Sequence, residues 1–229
     1  MSFGVRLETI ASLVPVGVAV VDVGTDHAYL PVLLAQQQKI RQAVATDIAA
    51  GPCQAAENTV AQYGLGGVIS VRQGNGLAQV TPAEAEVVAI AGMGGKTITT
   101  ILEQGAEQLE QTTRLVLQPM NGERELRHWL QEHKWKIVDE RLAYEANRFY
   151  VVMAAVPGVE QPYEDIYYEV GPRLAAERPA GFVDYVQTLL HKYQGLLSSM
   201  NHSVAAQESA RYRGFAERKL RLEEIIYGN

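Results

Sequence analysis

The sequence predicts an α/β fold in which a mostly parallel sheet is covered by helices on both faces. Five short apolar runs are typical of buried strands, and helical patterns separate most of them. The connections are short, and continuous rather than alternating apolar runs favour strands that are buried on both faces. In such a sheet, ligands bind at the carboxyl ends of the strands. The runs are residues 18–23, 43–46, 68–71, 87–91 and 115–117.

The segments between and after these strands carry helix and hairpin signals. Gly51-Pro52 begins one helix, with proline in the first turn, where its missing N–H costs nothing, and Gly64 ends it. A helix containing the LRHWL stretch, 126–130, follows the fifth strand. Two longer strand-like runs, 135–144 and 148–156, come next and predict an antiparallel hairpin that closes the sheet.

The chain changes character after Pro157-Gly158. Further proline and glycine residues interrupt it up to Pro179, and a helix with a heptad-like apolar seam follows. A second helix, from about 205 to 227, comes after the polar stretch 201–203, which predicts an antiparallel helical hairpin resembling a coiled coil. We therefore predict two domains, residues 1–158 and 159–229. The seam residues are Phe182, Val186, Leu189, Tyr193, Leu196 and Met200.

The composition argues against several classes of protein. Of the 229 residues, 47 % are hydrophobic and 20 % are charged, which is typical of globular proteins rather than disordered or fibrous ones. The sequence has no apolar run of about 18 residues and no signal-peptide layout, so we expect no membrane association. The lone Cys53 makes neither an internal disulfide nor a cysteine metal cluster, which favours the cytoplasm and predicts no metal.

The charge distribution gives a mixed signal about nucleic acids. A net charge of −6 disfavours a nucleic-acid partner for the whole chain, but a mean value can hide a local patch. Five basic side chains crowd the last predicted helix, where they form either a phosphate-binding surface or an ordinary solvated helix face. These residues are Arg211, Arg213, Arg218, Lys219 and Arg221.

The turn after the first strand, DVGTDH at 22–27, carries many polar groups. Gly24 lets the backbone approach a ligand closely, and the next helix, beginning near Ala28, directs its free N–H groups there. A nicotinamide-binding turn needs G-x-G-x-x-G, whereas this turn has a single glycine. Two acids, Asp22 and Asp26, would repel a pyrophosphate but tolerate a cation. S-adenosylmethionine fits, because its sulfonium and ammonium groups are positive.

Later strand ends carry further features of a cofactor site. Asp47 ends the second strand, where an acid binds ribose hydroxyls, although dinucleotide-binding folds place an acid there too. Asn75, between Gly74 and Gly76 after the third strand, can both donate to and accept from an adenine edge. The small residues of 91–95 leave room for a substrate after the fourth strand. Each loop alone is also explained as a plain turn or a tight helix entry.

Four strings, DVGTDHAYLP (22–31), GNGL (74–77), IAGMGG (90–95) and QP (118–119), resemble the TrmK family of bacterial tRNA (adenine-N1)-methyltransferases, which modify adenine 22. The resemblance runs nearly end to end. It implies a Rossmann-like class I methyltransferase domain, a C-terminal coiled-coil pair of helices, S-adenosylmethionine as cofactor and tRNA as substrate. It also implies that Asp26 lies near the reacting base. The cofactor-binding residues that it implies are Asp22, Gly24, His27, Asp47, Ile48, Asn75, Gly76, Ala91, Gly92 and Met93.

Two positions depart from the family pattern. The family often carries glutamate where Asp47 stands, which keeps an acid at that position. It also often carries asparagine directly after the proline, where this chain has Met120, so the role of the following Asn121 stays open.

Methylation of adenine N1 requires little base catalysis. N1 is neutral and has a free lone pair, so an enzyme mainly aligns it with the methyl group in a dry site. A paired adenine must first be flipped out and then held by its Watson–Crick edge. We expect Asp26 to accept a hydrogen bond from the N6 amine and stabilise the product's charge; its alternative role is to cap the next helix. The fourth loop lacks the N/D-P-P-aromatic motif of exocyclic-amine methyltransferases, which favours a ring nitrogen.

Four further residues are predicted to contact the substrate: Arg6 and Lys96 at phosphates, Tyr29 by stacking, and Gln118 at the end of the fifth strand. Each has an ordinary structural alternative, such as a core position for Tyr29 or the satisfaction of strand-end amides by Gln118. Three functions stay open as alternatives: a methyltransferase of another RNA or small molecule, a non-catalytic RNA-binding protein, and a nicotinamide-binding oxidoreductase.

Overall fold

The computed structural model describes residues 3–201 and 203–228. The chain divides into two compact units, Met1–Pro162 and Tyr163–Asn229. The polar stretch predicted to join the last two helices includes His202, which lies outside the described residues. Within the described residues, no helix is both long and apolar enough to cross a membrane.

The described part of the first unit contains one seven-stranded sheet. β1 to β5 are mutually parallel, and β7 is antiparallel to both β5 and β6. The order across the sheet is β3-β2-β1-β4-β5-β7-β6, so it reverses between β1 and β4. The predicted mostly parallel sheet with a closing hairpin is confirmed. The strands are β1 Val18–Val23, β2 Ile40–Asp47, β3 Ile69–Gln73, β4 Val87–Met93, β5 Arg114–Pro119, β6 Trp135–Glu145 and β7 Arg148–Pro157.

Within the same described part, five α-helices accompany the sheet. Val20, Val87 and Val116 belong to a core shared with α1 and α2, and the alternate residues Val21 and Val88 are fully buried as well. Because successive strand residues point to opposite faces, both faces are covered, as predicted. Helix α1 has no counterpart among the predicted elements. The helices are α1 Gly4–Leu13, α2 Tyr29–Gln36, α3 Ala50–Gln62, α4 Gly95–Gln104 and α5 Glu123–Glu132.

The described residues of the second unit form five helices and no strand, and one predicted helix is wrong in extent. The segment predicted as a single helix from 205 to 227 is interrupted, because the Ser209 hydroxyl accepts a hydrogen bond from the Tyr212 N–H and starts a new helix. The predicted antiparallel pairing is present: Tyr212 contacts Asn201, and Phe215 contacts the earlier Tyr193. The helices are α6 Asp165–Val170, α7 Pro172–Glu177, α8 Phe182–Met200, α9 Val204–Gln207 and α10 Ala210–Tyr227.

The predicted seam of α8 is only partly correct, because Phe182, Val186 and Tyr193 are buried as predicted but Met200 is only partly buried. Tyr185, Leu190 and Leu197 are buried, whereas Leu189 and Leu196 are only partly buried. Helix α8 packs against α10. It also contacts α6, where Lys192 of α8 forms an ion pair with Glu169 at 3.1 Å. A helix packed on two sides buries a wider stripe than the seam of a two-stranded coiled coil.

Candidate active site

The turn after β1 has an unusual backbone conformation. Gly24, Asp26 and Ala28 have φ angles of 72°, 54° and 55°, in the left-handed region that favours glycine. The Gly24 and Thr25 N–H groups both donate to the Thr46 carbonyl, at 2.8 and 3.0 Å, so the turn is fixed against β2. Two non-glycine residues held in this region within one turn are typical of a functional site.

Asp26 does not cap helix α2. Ala28 is the N-cap residue, and no side chain makes a hydrogen bond at this cap, so the capping alternative is wrong. The Asp26 side chain is 70 % exposed, and its Oδ1 lies 3.8 Å from His27 Nε2. The Asp26 N–H donates to Asp47 Oδ2 at 3.3 Å. The backbone of Asp26 is therefore held in place while its carboxylate stays open to a ligand.

Asp22 is buried beside this turn, with 5 % of its surface exposed. The Thr25 hydroxyl donates to Asp22 Oδ2 at 2.6 Å. Burial raises the pKa of Asp22 from 3.8 to about 6; the Thr25 hydrogen bond lowers this pKa and the Asp47 carboxylate raises it. Within the described residues, no basic side chain forms an ion pair with Asp22. A buried carboxylate without a counterion is a place where a cationic ligand is stabilised.

A cavity of about 510 Å³ lies at the carboxyl ends of β1 to β4, beside α4. It brings together six of the predicted cofactor residues and Lys96. Three polar residues that the sequence analysis missed, Thr97, Thr100 and Gln104, also line it. Their spacing along α4 places them on one helix face, but the sequence alone does not distinguish such a face from an ordinary solvated one. The predicted residues at this first cavity are Gly24, Asp47, Ile48, Asn75, Gly76, Met93 and Lys96.

Asp47 is held between the two sides of the site. Its Oδ1 accepts a hydrogen bond from the Ala49 N–H at 3.1 Å, and its Oδ2 accepts the one from Asp26. The neighbouring Thr46 hydroxyl donates to the Gly76 carbonyl at 3.1 Å, which ties the end of β2 to the loop after β3. Three strand ends are thereby joined around the first cavity.

A second cavity, of about 260 Å³, lies between the β1 turn and α1. The His27 ring stacks on the Tyr29 ring there, with 5.2 Å between centroids and 13° between planes. Tyr29 is 37 % exposed, so its predicted alternative as a core residue is wrong. The predicted residues at this second cavity are Arg6, Asp22, Gly24, Asp26, His27, Tyr29, Ala91 and Gly92.

The two cavities meet at Gly24, which lines both. A Cβ atom at this position would lie 2.1 Å from Met93 Cε, so the Met93 thioether lies against the glycine. The positive φ of Gly24 also disfavours a side chain. Gly24 therefore lies at the junction of the two cavities, at a position whose backbone conformation disfavours a side chain.

Two predicted substrate residues lie away from the second cavity. Lys96 is at the first cavity, with the predicted cofactor residues. Gln118 is fully buried and is absent from the described lining of both cavities. Its Oε1 accepts hydrogen bonds from the Arg6 guanidinium at 2.8 Å and from the Gly92 N–H at 3.2 Å. Gln118 therefore links α1 to the carboxyl end of β4.

Comparison with known proteins finds related sequences over nearly the whole chain. The family model for tRNA (adenine(22)-N(1))-methyltransferase matches residues 20–222. A tRNA (adenine(22)-N(1))-methyltransferase of Bacillus subtilis is 36 % identical over 228 residues, which cover 96 % of this chain and 95 % of that protein.

Solved structures are similar over the same length. A Streptococcus pneumoniae protein in complex with S-adenosyl-L-methionine is 35 % identical, with a TM-score of 0.86, over 97 % of this chain and 98 % of that one. TrmK of M. capricolum, in complex with S-adenosyl-homocysteine, is 25 % identical, with a TM-score of 0.82, over 99 % of this chain and 97 % of that one. The similarity therefore covers both compact units.

Proposed function

The chain belongs to the family of tRNA (adenine(22)-N(1))-methyltransferases, and we propose how its two cavities divide the reaction of that family. The enzyme transfers a methyl group from S-adenosylmethionine to N1 of adenine 22 in tRNA. When bound, S-adenosylmethionine supplies an electrophilic methyl group on a positively charged sulfur. The first cavity takes the adenosine part of the cofactor, and the second takes its methionine end together with the target adenine.

The residues of the first cavity fit an adenosine group. The Asp47 carboxylate is oriented by two backbone N–H groups, which supports its binding to the ribose hydroxyls. The Asn75 amide pairs with the adenine edge. Gly76, with a φ of 57°, lets the backbone approach the ring, and Ile48 and Met93 offer apolar contact.

The charge around the second cavity fits the methionine end of the cofactor. Asp22 is a buried carboxylate that no basic side chain of the described residues pairs with, and in this proposal it binds the cofactor ammonium group. Gly24 keeps the space between the cavities clear, because any side chain there would meet Met93. His27, Ala91 and Gly92 complete this part of the site.

Asp26 holds the target adenine in the second cavity. Its exposed carboxylate accepts a hydrogen bond from the N6 amine and stabilises the positive charge that develops when N1 is methylated. N1 needs no general base, because its lone pair is free at neutral pH. Tyr29, stacked on His27, gives the flipped base an aromatic surface.

The observation that carries this proposal is the junction of the two cavities at Gly24, with Asp22 and Asp26 on the same side. The test is to incubate the full chain with unmodified tRNA and methyl-labelled S-adenosylmethionine, and then to map the labelled nucleoside. We expect 1-methyladenosine at position 22, and none in a control transcript with another base at that position. Label at a different nucleotide or ring atom would overturn the proposal.

The second unit is proposed to contact the tRNA outside the target nucleotide. Helix α10 carries several basic residues, but Arg218, Lys219 and Arg221 are ion-paired with acids of the same unit, which lowers the net charge they offer. In this proposal the chemistry belongs to the predicted domain 1–158 and the tRNA contact to 159–229, for whose basic residues the sequence left a phosphate-binding surface and a solvated helix face open. A cytoplasmic location is proposed as well. Family membership decides against the nicotinamide-dependent and non-catalytic alternatives.

A further inference from the structure

The tip of the β6–β7 hairpin carries two side chains that the sequence analysis did not identify, Arg148 and Tyr150, and they lie beside Arg6, for which the sequence predicts a phosphate contact. The Arg148 guanidinium lies over the Tyr150 ring, 5.4 Å from its centroid, and the Arg6 guanidinium of α1 lies over the same ring at 5.7 Å. Two cations therefore share one aromatic ring. Cation–π contacts of this kind order a guanidinium without neutralising it.

Neither arginine is neutralised by an acid. Within the described residues, the guanidinium groups of Arg6 and Arg148 form no ion pair. Glu145, whose backbone pairs with that of Arg148 in the hairpin, accepts a hydrogen bond from the Arg6 backbone N–H at 3.0 Å. Placing two like charges close together costs free energy unless an anion binds between them.

The pair lies next to the second cavity. Arg6 lines that cavity, and Gln118 fixes its guanidinium at 2.8 Å while also accepting the Gly92 N–H. The Arg148 guanidinium donates to the Met120 carbonyl, at the end of β5. Both arginines are thus anchored at the carboxyl end of β5, and each keeps further N–H donors for a ligand.

We propose that Arg6 and Arg148, ordered by Tyr150, form a clamp for an RNA phosphate next to the target adenine. This inference rests on the proposed function, because it takes the second cavity to hold adenine 22. A phosphodiester offers oxygens that match the fork of a guanidinium, and arginine binds such groups more specifically than lysine does. The clamp positions the nucleotide whose base enters the cavity.

The test measures binding of unmodified tRNA over a range of salt concentrations, with S-adenosyl-homocysteine saturating. Arg148→Gln and Arg6→Gln are each expected to weaken binding at low salt by about 5- to 30-fold. The plot of the logarithm of the binding constant against the logarithm of the salt concentration should become less steep, by about 0.7 to 0.9 for each phosphate that the variant no longer neutralises. Arg41→Gln is the matched control. Arg41 is an exposed arginine of the same unit, but it lies at the amino end of β2, away from the cavities, and forms an ion pair with Glu86.

A second measurement locates the phosphate. A tRNA with one neutral methylphosphonate linkage beside adenine 22 should bind the parent enzyme more weakly than the natural tRNA does. The same linkage should weaken binding to the Arg148→Gln enzyme much less, because that enzyme has already lost part of the phosphate contact. An equal loss of affinity in the parent and in the variant would overturn the clamp. So would an Arg6→Gln enzyme whose defect lies in cofactor affinity, because Arg6 would then bind the cofactor carboxylate.

Failure of the clamp is distinct from failure of the proposed function. If the parent enzyme methylates adenine 22 and both glutamine variants bind tRNA with unchanged affinity and salt slope, the clamp is wrong and the function stands. If the parent transfers no methyl group to adenine 22, the proposed function is wrong, and the clamp falls with it.

Discussion

Two acids on either side of Gly24, the proposed ribose-binding Asp47 and the proposed adenine-binding Asp26, differ in how firmly they are held. Asp47, at the first cavity, accepts hydrogen bonds from two backbone N–H groups. Asp26, at the second, has a 70 % exposed side chain beside His27. The cofactor side is therefore organised before any ligand arrives, whereas the substrate side presents open charges and rings. A small cofactor of constant shape suits the first arrangement, and a nucleotide extracted from a folded RNA suits the second.

The largest expected effect is on the substrate side. Asp26→Asn keeps the size of the side chain but removes its charge, so the rate of methyl transfer should fall by about 10²- to 10³-fold. Cofactor affinity should hardly change, because the Asp26 backbone contact with Asp47 is retained. Single-turnover kinetics on unmodified tRNA with saturating cofactor measure the rate, and calorimetry measures the affinity.

Helix capping no longer competes as an explanation for Asp26, since Ala28 occupies the N-cap position. Asp26→Ala should therefore lose turnover to a similar degree as Asp26→Asn while both melt close to the parent. An Asp26→Asn enzyme that retains more than about half of the parent rate would contradict the assignment and leave the second cavity without its electrostatic contact.

An intermediate effect is expected on the cofactor side. Asp47→Ala removes the charge-assisted hydrogen bonds to the ribose, which should weaken cofactor binding by about 1 to 3 kcal/mol. The rate at saturating cofactor should fall much less, although the Asp26 N–H also loses its acceptor. Asp47→Glu is the control, because it keeps a carboxylate. Calorimetry that shows unchanged affinity in Asp47→Ala would remove Asp47 from the site.

These contrasts also separate what the sequence could predict from what it could not. The strand ends were predicted well, because apolar runs locate parallel strands and the polar residues after them share one edge. Asp22, Asp47 and Asn75 were found in this way. Residues supplied by a helix face, such as Thr97 and Thr100, were missed, because a polar helix face resembles any solvated surface.

Contacts between distant segments were beyond the reach of the sequence. Helix α1 has no counterpart among the predicted elements, so the approach of Arg6 to Gln118 and Tyr150 depends on packing that no local pattern encodes. The start of α2 depends on the left-handed backbone of Ala28, and it overturned the capping role considered for Asp26. Local propensity described the elements, and tertiary packing decided which side chains reach the site.

The smallest expected effect is on protein stability and concerns Asp22, at the second cavity, in protein without cofactor. Burial raises the pKa of Asp22 from 3.8 to about 6, so the folded protein binds this proton more tightly than the unfolded chain does. Stability from this group is therefore full below about pH 4 and is lost as the pH rises through 6. Because a difference of about 2 pKa units corresponds to about 3 kcal/mol, Asp22→Asn should stabilise the protein by up to that amount at pH 7.5 and by little at pH 4.

The same substitution should act in the opposite direction on ligand binding. Without the carboxylate, the cofactor ammonium group loses its partner, so affinity for S-adenosylmethionine and for S-adenosyl-homocysteine should fall to a similar degree, since both carry that group. In the parent enzyme, affinity should decline below about pH 6 as Asp22 takes up a proton. Denaturant unfolding at the two pH values and calorimetry with both ligands measure these quantities. A loss confined to S-adenosylmethionine would move Asp22 from the ammonium to the sulfonium, and a destabilised variant with parental affinity would make Asp22 a structural residue of the turn.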